Sequence, residues 1–379
     1  MCCFKLIFLQ SILKEVINVK ALFFLNSFVG GGAERVCLNL AKELYKLNIE
    51  SDFITVYSSK ADYDIPHYIH TYCIGIAESS SVLGIFLDIV KSIPRVNAYI
   101  SDKTYLLITA HLPVAQIVAS LTTAGKRCLY VMHVTQHLVD KSSSGLYRMC
   151  LRFLLKKKRI ITVSKGLENE LRYEYGLRAG QIKTIYNPCG VICPEDESNM
   201  TFSYERPYIV VMGRLEEQKN PELALELYQR GKFYEEYDLV YLGKGSLAEK
   251  LKKKIDDLAF QDYVFLKGFQ RKPIKWLVNA SLLLSCSRQE GLPLNLVEAL
   301  ICGTPVVASD CPYGPNEILT GELSAYLISP EEDPDASVAV MWSALKKYPR
   351  ITERYYSKFD GQLIVKEYLR TWEKYFVKD

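Results

Sequence analysis

Residues 281–309 read SLLLSCSRQEGLPLNLVEALICGTPVVAS. A short apolar run, a loop, an apolar segment at helical spacing and a second short apolar run follow one another. That succession is the pattern of a buried strand, a helix and a parallel strand. Two acids, Glu290 and Glu298, stand in it with seven residues between them. Residues 288–292 form the exit loop of the strand, and Pro293 suits the first turn of the helix, where its missing N–H is not needed. Glu290 therefore belongs to the loop, whereas Glu298 lies about a turn and a half into the helix. Both side chains can address one ligand, at different parts of it; the simpler alternative is that they stabilise the positive end of the helix.

The alternation extends in both directions. YIVVMG, YDLVYLG and YVFLKG read as strands, with helices in NPELALELYQRGK, GSLAEKLKKKIDDLA and KPIKWLVNA. Asn220 is placed as the N-cap of the first of these helices and Pro221 at its first position. Nearer the N-terminus, VKALFFLNSF, SDFITVYS, AYISDKTYLLITAH, RCLYVMHV and RIITVSKG read as strands around helices in VCLNLAKELYKL, LPVAQIVASLTTAG and SGLYRMCLRFLLKKK. Such alternation implies parallel sheets covered on both faces, and 379 residues exceed one ordinary core and suit two domains. The polar stretch ICPEDESNMTFSYERP, without periodicity, separates them. The expected organisation is an extension at 1–19, a first Rossmann-like domain at 20–190, a linker at 191–206, a second Rossmann-like domain at 207–355 and a helical tail at 356–379. The fold class is α/β, two doubly wound domains facing across a cleft.

Composition narrows the function. A net charge of +4 is small for this length, so nucleic acid is not an expected partner. The 11 cysteines are scattered, and the closest pairs, Cys2 with Cys3 and Cys189 with Cys193, lack a second pair at zinc-site spacing. Free thiols in a reducing cytoplasm are expected, with no metal and no cofactor. Asp62 with Asp64 and Asp333 with Asp335 spell aspartate pairs, but neither follows an apolar strand, and both read as surface turns. The apolar residues 1–19 are interrupted by Lys5, Lys14 and Glu15, leaving a run far shorter than the roughly 20 residues a membrane span needs. They read as a surface helix or a mere extension.

Ligands of open parallel sheets bind beyond the carboxyl ends of the strands, which singles out three further loops. Gly30, Gly31 and Gly32 lie between the first strand and a helix, a turn whose bare N–H groups suit an anion. It is not the dinucleotide fingerprint, because the sixth position from Gly30 is Arg35 and the second strand ends in VYSSK, without an acid for a ribose. Arg214 and Lys219, in RLEEQKN, join a strand end to a helix N-terminus and make a second anion site, unless Glu216 and Glu217 neutralise them. Gly245, in YLGKGSLAE, adds another glycine turn.

In this order, GGGAER, YNP, GRLEEQKNP, GKG, EGLPLNLVEAL and GTPVVASD resemble the retaining glycosyltransferases of family 4. The resemblance runs from about Lys20 to the C-terminus and implies the two-domain GT-B fold, with the C-terminal helix returning towards the first domain. It implies a nucleotide-sugar donor, by preference a UDP-sugar, and a glycan or lipid-linked glycan acceptor in bacterial surface polysaccharide, lipopolysaccharide or oligosaccharide assembly. By the same resemblance Glu290 binds donor-sugar hydroxyls beside the loop of Gly291, Leu292, Pro293 and Leu294, and Glu298 accepts from the ribose. Arg214 and Lys219 hold the diphosphate, Gly31 and Gly32 close over it, and Gly245 adjoins the donor. His133 stands near the donor sugar, with His111 and Asn187 as weaker candidates for the cleft. The catalytic set so implied is Glu290, His133, Arg214 and Lys219. The acceptor hydroxyl attacks from the leaving-group face and the departing phosphate takes its proton, so that neither a metal nor a separate base is required. Rival readings are a nucleotide-sugar 2-epimerase on the same fold and a glycosyltransferase-like protein that only binds; the presence of both acids and both cations argues against decay. Residues 147–159, carrying Arg148, Arg152, Lys156, Lys157, Lys158 and Arg159 among apolar residues, are expected to touch an anionic membrane surface on its cytoplasmic side.

Overall fold

The computed structural model describes residues 19–29, 31–57, 61, 64–77, 82–133, 153–190 and 204–377. Residues 1–18 of the N-terminal extension, Gly30, Asp62, most of the linker and residues 147–152 of the basic segment lie outside them. The first sheet contains β1 (Val19–Leu25), β2 (Glu50–Tyr57), β3 (Ile69–Ile76), β4 (Thr104–His111), β5 (Leu129–Met132), β6 (Arg159–Thr162) and β7 (Ile182–Thr184). They pair in parallel in the order β3-β2-β1-β4-β5-β6-β7. Helices α1 (Gly32–Tyr45), α2 (Val82–Ser101), α3 (Pro113–Leu121) and α4 (Lys165–Tyr173) connect them. The central strands are continuous apolar runs because both of their faces are covered, and Phe23 of β1 stacks on Phe53 of β2 with ring centres 4.6 Å apart.

The second sheet contains β8 (Tyr208–Met212), β9 (Asp238–Leu242), β10 (Val264–Leu266), β11 (Leu282–Ser285), β12 (Val306–Ser309) and β13 (Leu327–Ile328), parallel in the order β10-β9-β8-β11-β12-β13. Around it lie α5 (Pro221–Arg230), α6 (Ala248–Asp257), α7 (Ile274–Val278), α8 (Leu294–Ile301), α9 (Pro315–Ile318) and α10 (Pro334–Lys346). Each sheet reverses its winding beside its first strand, between β1 and β4 and between β8 and β11. Crevices open at such switch points. The apolar residues between the two acids, Leu296 and Val297, are buried and join the core cluster that includes the first sheet. The last helix, α11 (Gly361–Phe376), returns to the first domain: Trp372 Nε1 donates to the Arg127 carbonyl at 2.8 Å and Lys183 pairs with Glu367 at 2.9 Å.

Several local expectations are corrected. Residues 98–101, read as strand, are the last turn of α2, and LPVAQIVASLTTAG divides into α3 and a 3-10 turn at Thr123–Arg127. Strands β3, β7 and β13, helices α4, α9 and α10, and α2 before residue 98 carry no expectation from the sequence. Asn220 sits at the cap position of α5 with φ of 49°, a left-handed conformation that Asn tolerates, but its side chain donates to Glu331 at 3.1 Å instead of capping. Pro293 is the cap residue of α8, one position before the first turn. Asp333 is no mere surface turn, because its carboxylate caps α10 by accepting from the Ala336 N–H at 2.9 Å. Among the described residues, no helix is long and apolar enough to cross a membrane.

Candidate active site

Leaving β11, the chain is braced on both sides. Arg288 N–H donates to the Gln218 carbonyl at 2.9 Å, Gln218 Nε2 donates to the Gln289 carbonyl at 2.9 Å, and Glu290 N–H donates to the Pro312 carbonyl at 3.3 Å. Beneath the loop lies Gly314, whose φ of +95° and whose close approach to Pro293 and Leu292 leave no room for a side chain. The buried Glu290 carboxylate is ion-paired with Lys219 Nζ, which follows the neighbouring strand β8, so the pair bridges the switch point. Arg214, earlier in the same loop, donates to Gln218 Oε1 at 3.2 Å.

The acids between the two cations do not cancel them. Glu216 accepts from the Ser246 N–H at 2.8 Å and from its hydroxyl at 2.6 Å, while Glu217 pairs with Arg288 at 3.0 Å. Gly245 has a packing reason to be glycine: a Cβ there would lie 2.2 Å from the Leu215 carbonyl, so its absence lets the loop after β9 rest against the loop after β8.

Glu298 is 1% exposed, inside α8. Its charged partner comes from the other domain: Arg35 Nη2 lies 2.9 Å from Oε1, and Nη1 donates to Oε2 at 3.4 Å. Oε1 is in ion-pair range yet makes no aligned hydrogen bond. Burial raises the Glu298 carboxyl above its ordinary range, with Arg35 opposing the rise. One residue earlier, the Glu34 carboxylate folds back over Gly31, where a Cβ would meet Oε2 at 2.1 Å. Burial pushes Glu34 up to about 7, against its own backbone N–H and the charge of Arg214. The glycine turn thus stands at the N-terminus of α1 with Gly31 as the extended cap, and the space at Gly32 is open.

On the first domain, His133 follows β5 and His111 ends β4. Their rings stack, with His111 Nδ1 and His133 Nε2 2.8 Å apart, and His111 Nε2 reaches Thr109 Oγ1 at 3.0 Å. His133 keeps some solvent access, yet desolvation lowers it to about 4 and holds His111 well below the ordinary value, so both rings are neutral near pH 7. The His133 carbonyl lies so close to Gly291 that a Cβ there would sit 1.6 Å from it. Asn187, after β7, is buried, and its Oδ1 makes no hydrogen bond among the described residues.

Sequence reasoning missed three groups. Glu34 and Arg35 stand in the first turn of the helix after the glycine turn, a position that faces the cleft by topology alone. Glu317, in the short helix α9 after β12, accepts from the N–H groups of Lys165 and Gly166 at 2.9 and 3.0 Å and from the Tyr186 hydroxyl at 3.0 Å, all across the cleft. Its signal was the turn PYGP following a strand.

Two doubly wound domains that present cations, acids and a glycine turn to a shared cleft have the architecture of the GT-B glycosyltransferases. The chain belongs to glycosyltransferase family 4: residues 30–191 match Glycosyltransferase Family 4, and residues 195–358 match the glycosyl transferases group 1. An uncharacterised glycosyltransferase of Methanocaldococcus jannaschii is 39% identical over 209 residues, 52% of this chain; the chain spans about half, 51%, of that relative's length. The N-acetylgalactosamine-N,N'-diacetylbacillosaminyl-diphospho-undecaprenol 4-alpha-N-acetylgalactosaminyltransferase of Campylobacter jejuni is 24% identical, with 82% of this chain and 86% of the relative covered. The crystal structure of S. aureus TarM in complex with Fondaparinux, alpha-GlcNAc-glycerol and UDP superposes with a TM-score of 0.71 at 15% identity, covering 96% of this chain and 100% of that one.

Proposed function

We propose that the protein is a retaining glycosyltransferase that moves a hexose or N-acetylhexosamine from a UDP-sugar to a hydroxyl of a glycan or lipid-linked glycan in bacterial surface polysaccharide, lipopolysaccharide or oligosaccharide assembly. The observation that carries this reading is the braced loop of β11, in which Glu290 is paired with Lys219 across the switch point while Glu298 stands in the helix that follows the loop. Arg214 and Lys219 hold the diphosphate, Glu290 and the N–H groups of the loop address the sugar, and Glu298 accepts from the ribose hydroxyls. Cleaving the sugar–phosphate bond leaves an oxocarbenium-like centre and a charged diphosphate; fixed cations and a helix N-terminus stabilise the latter without reorganising. In this reading the acceptor oxygen forms its bond on the face the phosphate leaves, the acceptor proton passes to the departing phosphate, and no metal is needed. Neutral His133 beside Gly291 lines the sugar without adding a charge.

The UDP in the TarM crystals and the diphospho-undecaprenol-linked acceptor named for the Campylobacter relative favour this donor and acceptor class. Peripheral membrane contact is supported by Phe153, 84% exposed beside the exposed Lys156 and Lys157. Lys158 and Arg159 serve the fold instead, over the rings of Tyr130 and Tyr375. The test is a screen of UDP- and GDP-sugars for thermal stabilisation and slow donor hydrolysis, which needs no acceptor. A UDP-sugar that raises the melting temperature and is hydrolysed is the expected outcome; no response to any nucleotide sugar would overturn the reading.

A further inference from the structure

We propose that Arg35 is a positioning residue of donor recognition: reaching across the cleft from the first domain, it keeps the Glu298 carboxylate ionised and oriented to accept from the two ribose hydroxyls. The inference rests on the donor reading above and adds to it a residue on the opposite domain.

Glu298 is wholly buried, and a buried carboxylate without a counter-charge takes up a proton. A protonated carboxyl donates through one oxygen, whereas a ribose diol needs an acceptor at each hydroxyl. Arg35 meets both oxygens of Glu298, at 2.9 and 3.4 Å, over a separation of 263 residues in sequence. A guanidinium is a delocalised cation that can face both oxygens of a carboxylate at once. Because Arg35 sits on α1 and Glu298 on α8, the counter-charge is delivered only when the domains are together. Donor recognition and domain closure are thereby coupled through one ion pair.

Of the elements packed on α8, β12 has none, α7 carries Lys275, and α9 carries Glu317, whose carboxylate is turned to Lys165, Gly166 and Tyr186. On α1, Glu34 precedes Arg35 and titrates near 7. The sign follows directly: the ionised fraction of Glu298 is lost as pH falls through its pKa, and removing the cation raises that pKa, so the loss starts at a higher pH.

The experiment is calorimetric titration of UDP-glucose, UDP-N-acetylglucosamine and GDP-mannose, whose phosphodiester oxygens do not titrate near neutrality, from pH 5.5 to 8.5. In Arg35→Met, or in Arg35→Gln should the first variant fold poorly, the acid limb of affinity should move up by about one to three pH units. At pH 6 the affinity then falls by roughly tenfold or more, while at pH 8.5 it returns to within a few-fold of the parent. Arg35→Lys should follow the parent profile. In a Glu298→Gln background, which keeps Glu34, the Arg35→Met change should move no limb. An Arg35→Met profile with the parental pH dependence, whether affinity is unchanged or uniformly lowered, overturns the proposal. Parent protein that binds none of the three sugars overturns the donor reading itself, and the inference with it.

Discussion

Where the second domain meets the cleft, Lys219 is paired with Glu290, Arg214 is held by Gln218, and the exit loop of β11 is tied to its neighbours by three hydrogen bonds. Where the first domain meets it, two neutral imidazoles share one hydrogen bond and the Glu34 carboxylate folds over Gly31 of the glycine turn. Both surfaces lie at the switch points of similar sheets, so topology alone does not separate them. Charge does: one surface holds two cations and an acid in fixed positions, while the other approaches closely and contributes Arg35 by reaching over.

The sharpest test of this contrast removes the cations from the second surface. Arg214→Ala combined with Lys219→Ala should lower donor-dependent turnover by about 10³-fold or more in steady-state assays, and should also lower the melting temperature, because the buried Glu290 carboxylate loses its partner. Normal turnover would erase the distinction. The next blocks the close approach of the first surface: in Gly291→Ala the new Cβ collides with the His133 carbonyl, 1.6 Å away, so closure is obstructed. Turnover should fall by roughly 10²-fold through mispositioning while each domain still unfolds cooperatively. An unimpaired Gly291→Ala enzyme would show that the two surfaces need not meet.

A third measurement addresses the neutral pair. His133 is lowered to about 4, so between pH 6.5 and 4 the unfolded chain binds more protons than the folded one, and stability falls as pH falls through that window. At pH 5 the cost from His133 is on the order of 2 kcal/mol, and His133→Gln should remove that share in urea titrations while leaving the share that His111 contributes in the same direction. An unchanged slope would place the pH dependence elsewhere. The smallest effect is expected at Glu317→Gln, which keeps the shape but weakens three contacts across the cleft; about 1 kcal/mol, read as a severalfold loss of turnover and a more open form in solution scattering, is the predicted change.

How much of this was legible differs by element. The strands of both sheet centres were readable because they are buried on both faces and therefore uniformly apolar. Strand β3 was not, since its burial alternates along a sheet edge, and β7 and β13 have only three and two residues. Glu290 and Glu298 were legible because polar groups are expensive to bury, so two acids inside an apolar helix unit demand an explanation. Arg35 entered the sequence argument only as the residue that spoils a dinucleotide motif. Nothing local to it announces a partner 263 positions away.

By itself the sequence determined the parallel α/β class, the two sheets, the exit loops that carry the cations and acids, and the place of each acid along its strand–loop–helix unit. Those follow from periodicity and from glycine and proline chemistry, which act over a few residues. Only the tertiary structure decided which charges meet. Lys219 is given to Glu290, Glu217 to Arg288, Glu216 to Ser246, Arg35 to Glu298 and Glu317 to α4. Ion pairs depend on separations of a few ångströms and on burial, and both are set by the packing of two domains rather than by spacing along the chain.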